Sequence, residues 1–96
     1  MIKQVTLESI YQDGTVKDKY VTVPLYLNEN SIVSVRPANM NWGLVKEIND
    51  KPVNHESLTE IIYSVGSKSE KVVALGEISQ IMNLIGGTKK RELLRD

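Results

Sequence analysis

The residue types that could perform acid–base or nucleophilic chemistry meet at one place, the polar stretch 54–57. His55 is the single histidine of this 96-residue chain, and Glu56 and Ser57 follow it directly. An imidazole that takes a proton from a neighbouring hydroxyl is the usual way to activate serine as a nucleophile. Adjacent side chains do not generally face one another, however, and nothing nearby in the sequence indicates a shaped pocket. We therefore predict no catalytic residues, and we expect His55 to be a solvated loop residue.

The sequence contains no pattern typical of a metal, cofactor or phosphate site. The chain has no cysteine, which excludes disulfides, thiol nucleophiles and thiolate-ligated metals, and one histidine cannot supply a site that needs two imidazoles. The acidic residues are scattered singly, without the alternating oxygen ligands of a calcium loop. Residues 86–90 read Gly-Gly-Thr-Lys-Lys, but a phosphate loop needs its glycines between a strand and a helix. We expect neither a metal nor a cofactor.

One group of basic residues stands out near the C-terminal end of the sequence. Its members are Lys89, Lys90, Arg91 and Arg95. They could contact nucleic-acid phosphates or an acidic partner, although no aromatic residues lie between them for base stacking. The whole chain carries twelve basic and twelve acidic residues, so its surface should not attract nucleic acid as a whole. We expect a solvated polar tail, and a partner-docking tail or a nucleic-acid-associated regulator remains the alternative.

A few aromatic and flexible apolar residues are the best candidates for binding another protein. Met40 and Trp42 lie in a polar loop, where such side chains often anchor an interface. Trp42 could instead fold back over the end of a small core. Tyr20 and Tyr26 alternate with the aliphatic residues of a predicted strand, on the same side as Pro24. If nothing covers that side, it forms an aromatic strip suited to a partner.

Alternating apolar and polar residues predict two long strands at the start of the chain. The first covers residues 2–11 and the second runs to Leu27. On the apolar side of the first strand lie Val5, Leu7 and Tyr11. Asp13-Gly14 between the two strands is a hairpin signal, because both residues tolerate positive φ. Pro24 cannot donate to a ladder and so predicts an edge strand or a bulge.

The middle of the chain fits shorter strands. Residues 32–36 and 44–48 show strand patterns, the second of them closed by a turn over 49–52. Residues 57–65 are ambiguous, since their apolar positions match both a helix and an alternating strand. Their Thr, Ile, Tyr and Val content favours a strand that returns through a hairpin loop into residues 72–75.

The last apolar stripe has helical spacing and completes the fold prediction. Ile78, Ile81, Met82 and Ile85 follow one another at i, i+3, i+4 and i+7, with two glycines directly after them. We predict one α+β domain over residues 1–87, followed by the polar basic tail over 88–96. The domain is a small antiparallel sheet of four to six strands with one C-terminal helix packed on it.

Parts of this sequence resemble flagellar FlbD-like small proteins and similar short phage and bacterial proteins. Residues 27–37 read Leu-Asn-x-x-x-Ile-x-x-Val-x-Pro, and residues 59–66 lead through Val72-Val73 to a helix that ends in Ile-Met-Asn-Leu-Ile. The resemblance covers about half the chain and implies a compact β-meander closed by one helix, with a phage or bacterial origin. The chain departs from that pattern between Pro37 and Leu58 and again after Gly87.

These observations predict a small non-enzymatic protein-binding or regulatory module that acts through a sheet edge or an exposed aromatic face. The partner would be another protein or a second copy of the chain, with no membrane involved. The residues predicted to bind it are Tyr20, Tyr26, Met40 and Trp42. The absence of cysteine and of an apolar leader points to the cytoplasm.

Overall fold

A computed structural model describes residues 1–85. Strands joined by tight turns make up most of these residues. The strands are β1 (Ile2–Gln12), β2 (Thr15–Leu25), β3 (Ile32–Pro37), β4 (Glu47–Ile48), β5 (Lys51–Pro52), β6 (Leu58–Val65) and β7 (Lys68–Leu75), and the helix is α1 (Ile78–Leu84). The predicted fold class, an antiparallel sheet with one C-terminal helix packed on it, is confirmed. The glycines after α1, the predicted domain boundary and the basic tail lie outside the described residues.

Five antiparallel strands form the main sheet in the order β2-β1-β7-β6-β3, with β4 and β5 as a separate small hairpin. β1 and β2 pair along their whole length across the turn Asp13-Gly14, whose φ angles are 52° and 79°. Positive φ at both central residues gives the twist that a two-residue hairpin needs, so the predicted turn is confirmed. β2 lies at the edge of the sheet, as Pro24 predicted, and it ends at Leu25 rather than at Leu27.

The ambiguous segment 57–65 is a strand, as its β-branched residues predicted. β6 lies between β3 and β7 and pairs with both, so every position is in a ladder where branched side chains pack well. The predicted strand over 44–48 is shorter than expected. A 3-10 turn, Met40–Leu44, takes up its first residue, and the ladder contains Glu47–Ile48 alone.

Both faces of the sheet are covered, each by a different part of the chain. The first face packs under α1 as a cluster of Ile2, Ile32, Ile61, Ala74, Ile81, Met82 and Ile85. The second face carries Val5, Ala38, Ile48, Leu58 and Val73, with Tyr20, Trp42, Val45, Val53 and Leu75 packed against them. The cover on the second face comes from residues 38–57.

The β4–β5 hairpin is fastened to the outer edge of β2. Its turn residues Asn49 and Asp50 have φ angles of 55° and 64°. The Asn49 backbone N–H donates to the Tyr20 carbonyl at 3.0 Å, and the Asn49 side-chain oxygen accepts from the Thr22 N–H at 3.1 Å. Asparagine suits this position because it tolerates positive φ and its amide can bond to a neighbouring backbone. The hairpin therefore closes the sheet edge at Tyr20 and Thr22.

Beyond that closure the β1–β2 hairpin continues as a projecting arm, defined here as residues 6–19. The ladder between β1 and β7 holds a single partner pair, Gln4 with Ala74, whereas β1 and β2 stay paired as far as Gln12 and Thr15. Residues 1–85 accordingly measure 50 × 28 × 22 Å. Among the strands of residues 1–85, none pairs with the outer half of the arm, which is a two-stranded ribbon.

Candidate functional site

The side chains of His55, Glu56 and Ser57 do not converge on one site. Residues His55–Ser57 form one 3-10 turn, in which the Asn54 side chain accepts the Glu56 N–H at 3.2 Å. With three residues per turn, consecutive side chains leave the backbone about 120° apart, so the imidazole, carboxylate and hydroxyl diverge. His55, half-buried, and Glu56 line a hollow of about 370 Å³ beside Glu77 and Ile78. Within residues 1–85, no group of three or more His, Cys, Asp or Glu is placed to hold a metal ion.

Trp42 lies against Tyr20 on the second face of the sheet. Their ring centroids are 5.7 Å apart with the planes tilted by 58°, a favourable aromatic pair. The Asn39 side chain accepts the Asn41 N–H at 2.9 Å and thereby starts the turn that carries Trp42. Trp42 is half-buried, so it covers the end of the second cluster, and one edge of its ring stays at the surface.

Tyr26 and Tyr20 belong to different surfaces. Because β2 ends at Leu25, Tyr26 lies past the strand, where it is exposed and lines a hollow of about 420 Å³ with Leu27 and Leu84 on the side of α1. Tyr20 packs with the cluster of the opposite face. The predicted aromatic strip of Tyr20 and Tyr26 along one strand is therefore wrong. Met40, the fourth predicted residue, is 82% exposed and lines neither hollow.

The arm carries exposed apolar side chains, two of which lie on the side of β1 that the alternation predicted to be apolar. Leu7, Tyr11 and Val16 are 55%, 76% and 64% exposed. In the β1–β2 register Leu7 faces Tyr20 and Tyr11 faces Val16, so all four lie on the face that continues into Trp42. The alternation therefore predicted the apolar side of β1 but not its exposure. The strands of the first hairpin have 11 residues each against 8 in β6 and β7, so this hairpin outreaches its neighbours.

These residues form one continuous surface, which we call the arm surface: Leu7, Tyr11, Val16, Tyr20, Trp42 and Leu44. At one end, Tyr20, Trp42 and Leu44 line a hollow of about 280 Å³. Halfway along the arm, the Ser9 hydroxyl donates to the Asp18 carboxylate at 2.6 Å. Asp18 is the one acidic side chain between the two apolar pairs of the arm, so the arm surface combines apolar anchors with a single negative charge.

A buried carboxylate holds the base of this surface in place. Glu60, on the inner strand β6, is 4% exposed. One of its oxygens lies 3.3 Å from the Arg36 Nε and 3.8 Å from the Lys71 Nζ, and the other accepts the Asn39 N–H at 3.0 Å. Two cations and a backbone donor offset the cost of burying the charge. The bond to Asn39 ties the turn that carries Trp42 to the sheet. No spacing in the sequence pointed to this contact.

Replacing Trp42 with alanine should lower the free energy of unfolding by about 1–2 kcal/mol, below the range for a fully buried tryptophan because the ring is half-exposed. The matched substitution is Met40→Ala in the same turn, which should change it by less than about 0.5 kcal/mol. Urea unfolding followed by far-ultraviolet circular dichroism, which reports on the backbone rather than on Trp42, would measure the free energy of unfolding of both variants. Equal stability of the two variants would show that Trp42 does not cover the core.

The remaining sequence predictions concern residues or properties that the structure does not place. Lys89, Lys90, Arg91 and Arg95 lie outside the described residues. Within residues 1–85, no helix is both long enough and apolar enough to cross a membrane. The chain matches no protein-family model, and no curated protein or solved structure shows significant similarity to it. The resemblance to FlbD-like proteins therefore stays a prediction.

Proposed function

We propose that this chain is a non-enzymatic protein-binding or regulatory module that acts through the arm surface. The observation that carries the proposal is the exposure of Leu7, Tyr11 and Val16 on an ordered ribbon. A two-stranded hairpin alone is marginally stable in water, and the cross-strand pairs Leu7–Tyr20 and Tyr11–Val16 add only about 0.2–1 kcal/mol each while their apolar area stays in water. A partner that covers them would remove this apolar area from water, at roughly 25 cal/mol per Å².

The aromatic residues of the arm surface also suit specific binding of one partner. Aromatic rings with few rotatable bonds are preferred anchors at interfaces, and Tyr11, Tyr20 and Trp42 are spread along the arm surface. Tyr20 and Trp42 are already held by their mutual contact, which lowers the entropy cost of binding. The partner would be another protein or a second copy of this chain, met in the cytoplasm.

The test compares substitutions on the two faces of one strand. Leu7→Ser with Tyr11→Ser removes the apolar anchors, and the matched control, Glu8→Ser with Gln12→Ser, has the same spacing on the opposite face of the arm. Mass in solution, from sedimentation equilibrium, and capture of protein partners by the immobilised chain would be measured for each. We expect the first variant to lose the oligomer or the captured partner, while the control keeps it and both retain the wild-type circular dichroism spectrum.

Two outcomes would overturn the proposal. One is that wild type and both double variants are monomers that capture the same proteins. The other is binding that weakens steeply between low and physiological salt and is lost when Lys89, Lys90, Arg91 and Arg95 are replaced with glutamine, which would indicate phosphate contacts and favour the nucleic-acid alternative. Apolar docking on the arm surface should be nearly indifferent to salt.

A further inference from the structure

The contacts of Asn49 reveal which backbone groups of β2 point away from the sheet. The Thr22 N–H and the Tyr20 carbonyl both bond to Asn49, so they face outward and not toward β1. In an antiparallel pair, each residue directs its N–H and its carbonyl to the same side, and the side alternates along the strand. Val16 and Asp18 therefore also face outward. So does Pro24, whose missing N–H costs the β1 ladder nothing.

The outward edge of β2 is thus closed in one half and open in the other. Asn49 occupies the Tyr20 carbonyl and the Thr22 N–H, and Pro24 offers no donor beyond them. In the part of the chain that the structure describes, no hydrogen bond engages the backbone N–H or carbonyl of Val16 or Asp18, and both residues are exposed. The open edge consists of residues 15–19, next to the hairpin turn.

From this geometry we infer that the open edge of β2, residues 15–19, binds an extended segment of a partner protein as an added antiparallel strand. The outward groups of Val16 and Asp18 form the main-chain bonds, which is the usual basis of affinity in strand addition. Asn49 and Pro24 set the limit of the added strand at Lys19. The inference rests on the proposed protein-binding function and names the mode of contact.

The side chains along the open edge define the chemistry of the partner segment. Asp18 shares its face with Val16 and attracts a cation in the position opposite it. Lys17 projects on the other face and has no ion pair within residues 1–85, while Lys19 lies 3.4 Å from Asp50. Cross-strand pairs of opposite charge stabilise a sheet, and like charges destabilise it. The partner strand should therefore carry acidic residues opposite Lys19 and Lys17. It should carry a basic residue opposite Asp18 and an apolar residue opposite Val16.

A second copy of this edge is a poor occupant by the same rule. A two-fold pairing that uses all of residues 15–19 sets Lys17 against Lys17 and Val16 against Asp18. Moving the two-fold axis from Lys17 to Asp18 sets Asp18 against Asp18 and Lys17 against Lys19, so both of these registers place like charges opposite one another. Moving the axis to Val16 instead sets Asp18 against Gly14, which belongs to the hairpin turn, so the outward groups of Asp18 gain no strand partner. The three registers favour a different protein as the partner of this edge.

The test uses a synthetic probe, acetyl-Glu-Arg-Glu-Val-Thr-amide, titrated into the ¹⁵N-labelled full chain. Its control is the charge-swapped acetyl-Lys-Glu-Lys-Val-Thr-amide. We expect the first peptide to shift the amide signals of Val16 and Asp18 and the control to bind about tenfold more weakly. Val16→Pro deletes one outward N–H, as Pro24 does already, and should weaken binding about tenfold, whereas Val16→Thr keeps the N–H and should bind within about twofold of wild type.

The outcomes separate this inference from the proposed function. Equal binding of both peptides, or no effect of Val16→Pro in a variant whose other amide signals are unchanged, would overturn the strand addition. A dimer of the free chain that Val16→Pro dissociates would also overturn it, because the occupant would then be a second copy. Failure of the peptide together with partner loss in the Leu7→Ser and Tyr11→Ser variant would leave the proposed function intact.

Discussion

Replacing Ile61 with alanine should lower the free energy of unfolding by about 2–5 kcal/mol. Ile61 is fully buried on the inner strand β6, in the cluster that packs under Ile81 and Met82 of α1. Neighbours on a ladder bonded on both sides cannot collapse into the space that the side chain leaves. The cost is therefore the lost transfer free energy together with that of a cavity.

Val65→Ala on the same strand is the matched control, because Val65 is exposed near the hairpin turn. Chemical denaturation of both variants, with equal m-values as a check of two-state behaviour, would measure the difference. We expect the free energy of unfolding of the control variant to fall by less than about 1 kcal/mol. A loss at Ile61 no larger than at Val65 would contradict the placement of α1 over β6.

Glu60→Ala should cost about 2–3 kcal/mol, because it removes the acceptor of a charge-assisted network and leaves the Asn39 N–H without a partner. The Arg36 side chain is 57% exposed, so water can solvate its charge when the carboxylate is gone. The larger part of the lost stability should therefore come from the hydrogen bond between Glu60 and the Asn39 N–H. The turn that carries Trp42 is held to the sheet through Asn39.

Glu60→Gln separates the charge from the hydrogen bond, since its amide oxygen can still accept from Asn39. We expect it to lose less stability than Glu60→Ala and to keep the Trp42 fluorescence spectrum, which Glu60→Ala should shift toward that of a solvated indole. Arg36→Gln on the exposed side should cost less than about 1 kcal/mol. A Glu60→Ala variant with wild-type stability and fluorescence would show that the carboxylate does not hold the turn.

Local signals in the sequence predicted the secondary structure well. Asp13-Gly14 specifies a turn through the φ angles that the two residues tolerate, and the spacing of Ile78, Ile81 and Met82 specifies a helix with one apolar side. For residues 57–65 the periodicity was undecided. The β-branched side chains of this segment predicted a strand correctly, because such residues lose rotamer freedom in a helix but pack well in a ladder.

The arrangement of the elements depends on contacts that no local pattern encodes. Alternation places Leu7 and Tyr11 on one side of β1, but whether that side is covered depends on how far β7 runs beside it. The fastening of β2 by Asn49 and the support of the Trp42 turn by Glu60 join residues 27 and 21 positions apart. For the same reason the predicted strip of Tyr20 and Tyr26 was wrong, since it required β2 to continue one residue further.

The position of β7 between β1 and β6 has a consequence for synthesis on the ribosome. The β1–β2 hairpin can form once the first 25 or so residues have left the exit tunnel, but its junction to the rest of the sheet waits for Ala74 to emerge. Until then the β1–β2 hairpin of the nascent chain has no ladder to the strands β3 and β6. Such late, distant pairing slows folding, so we expect completion after translation rather than during it.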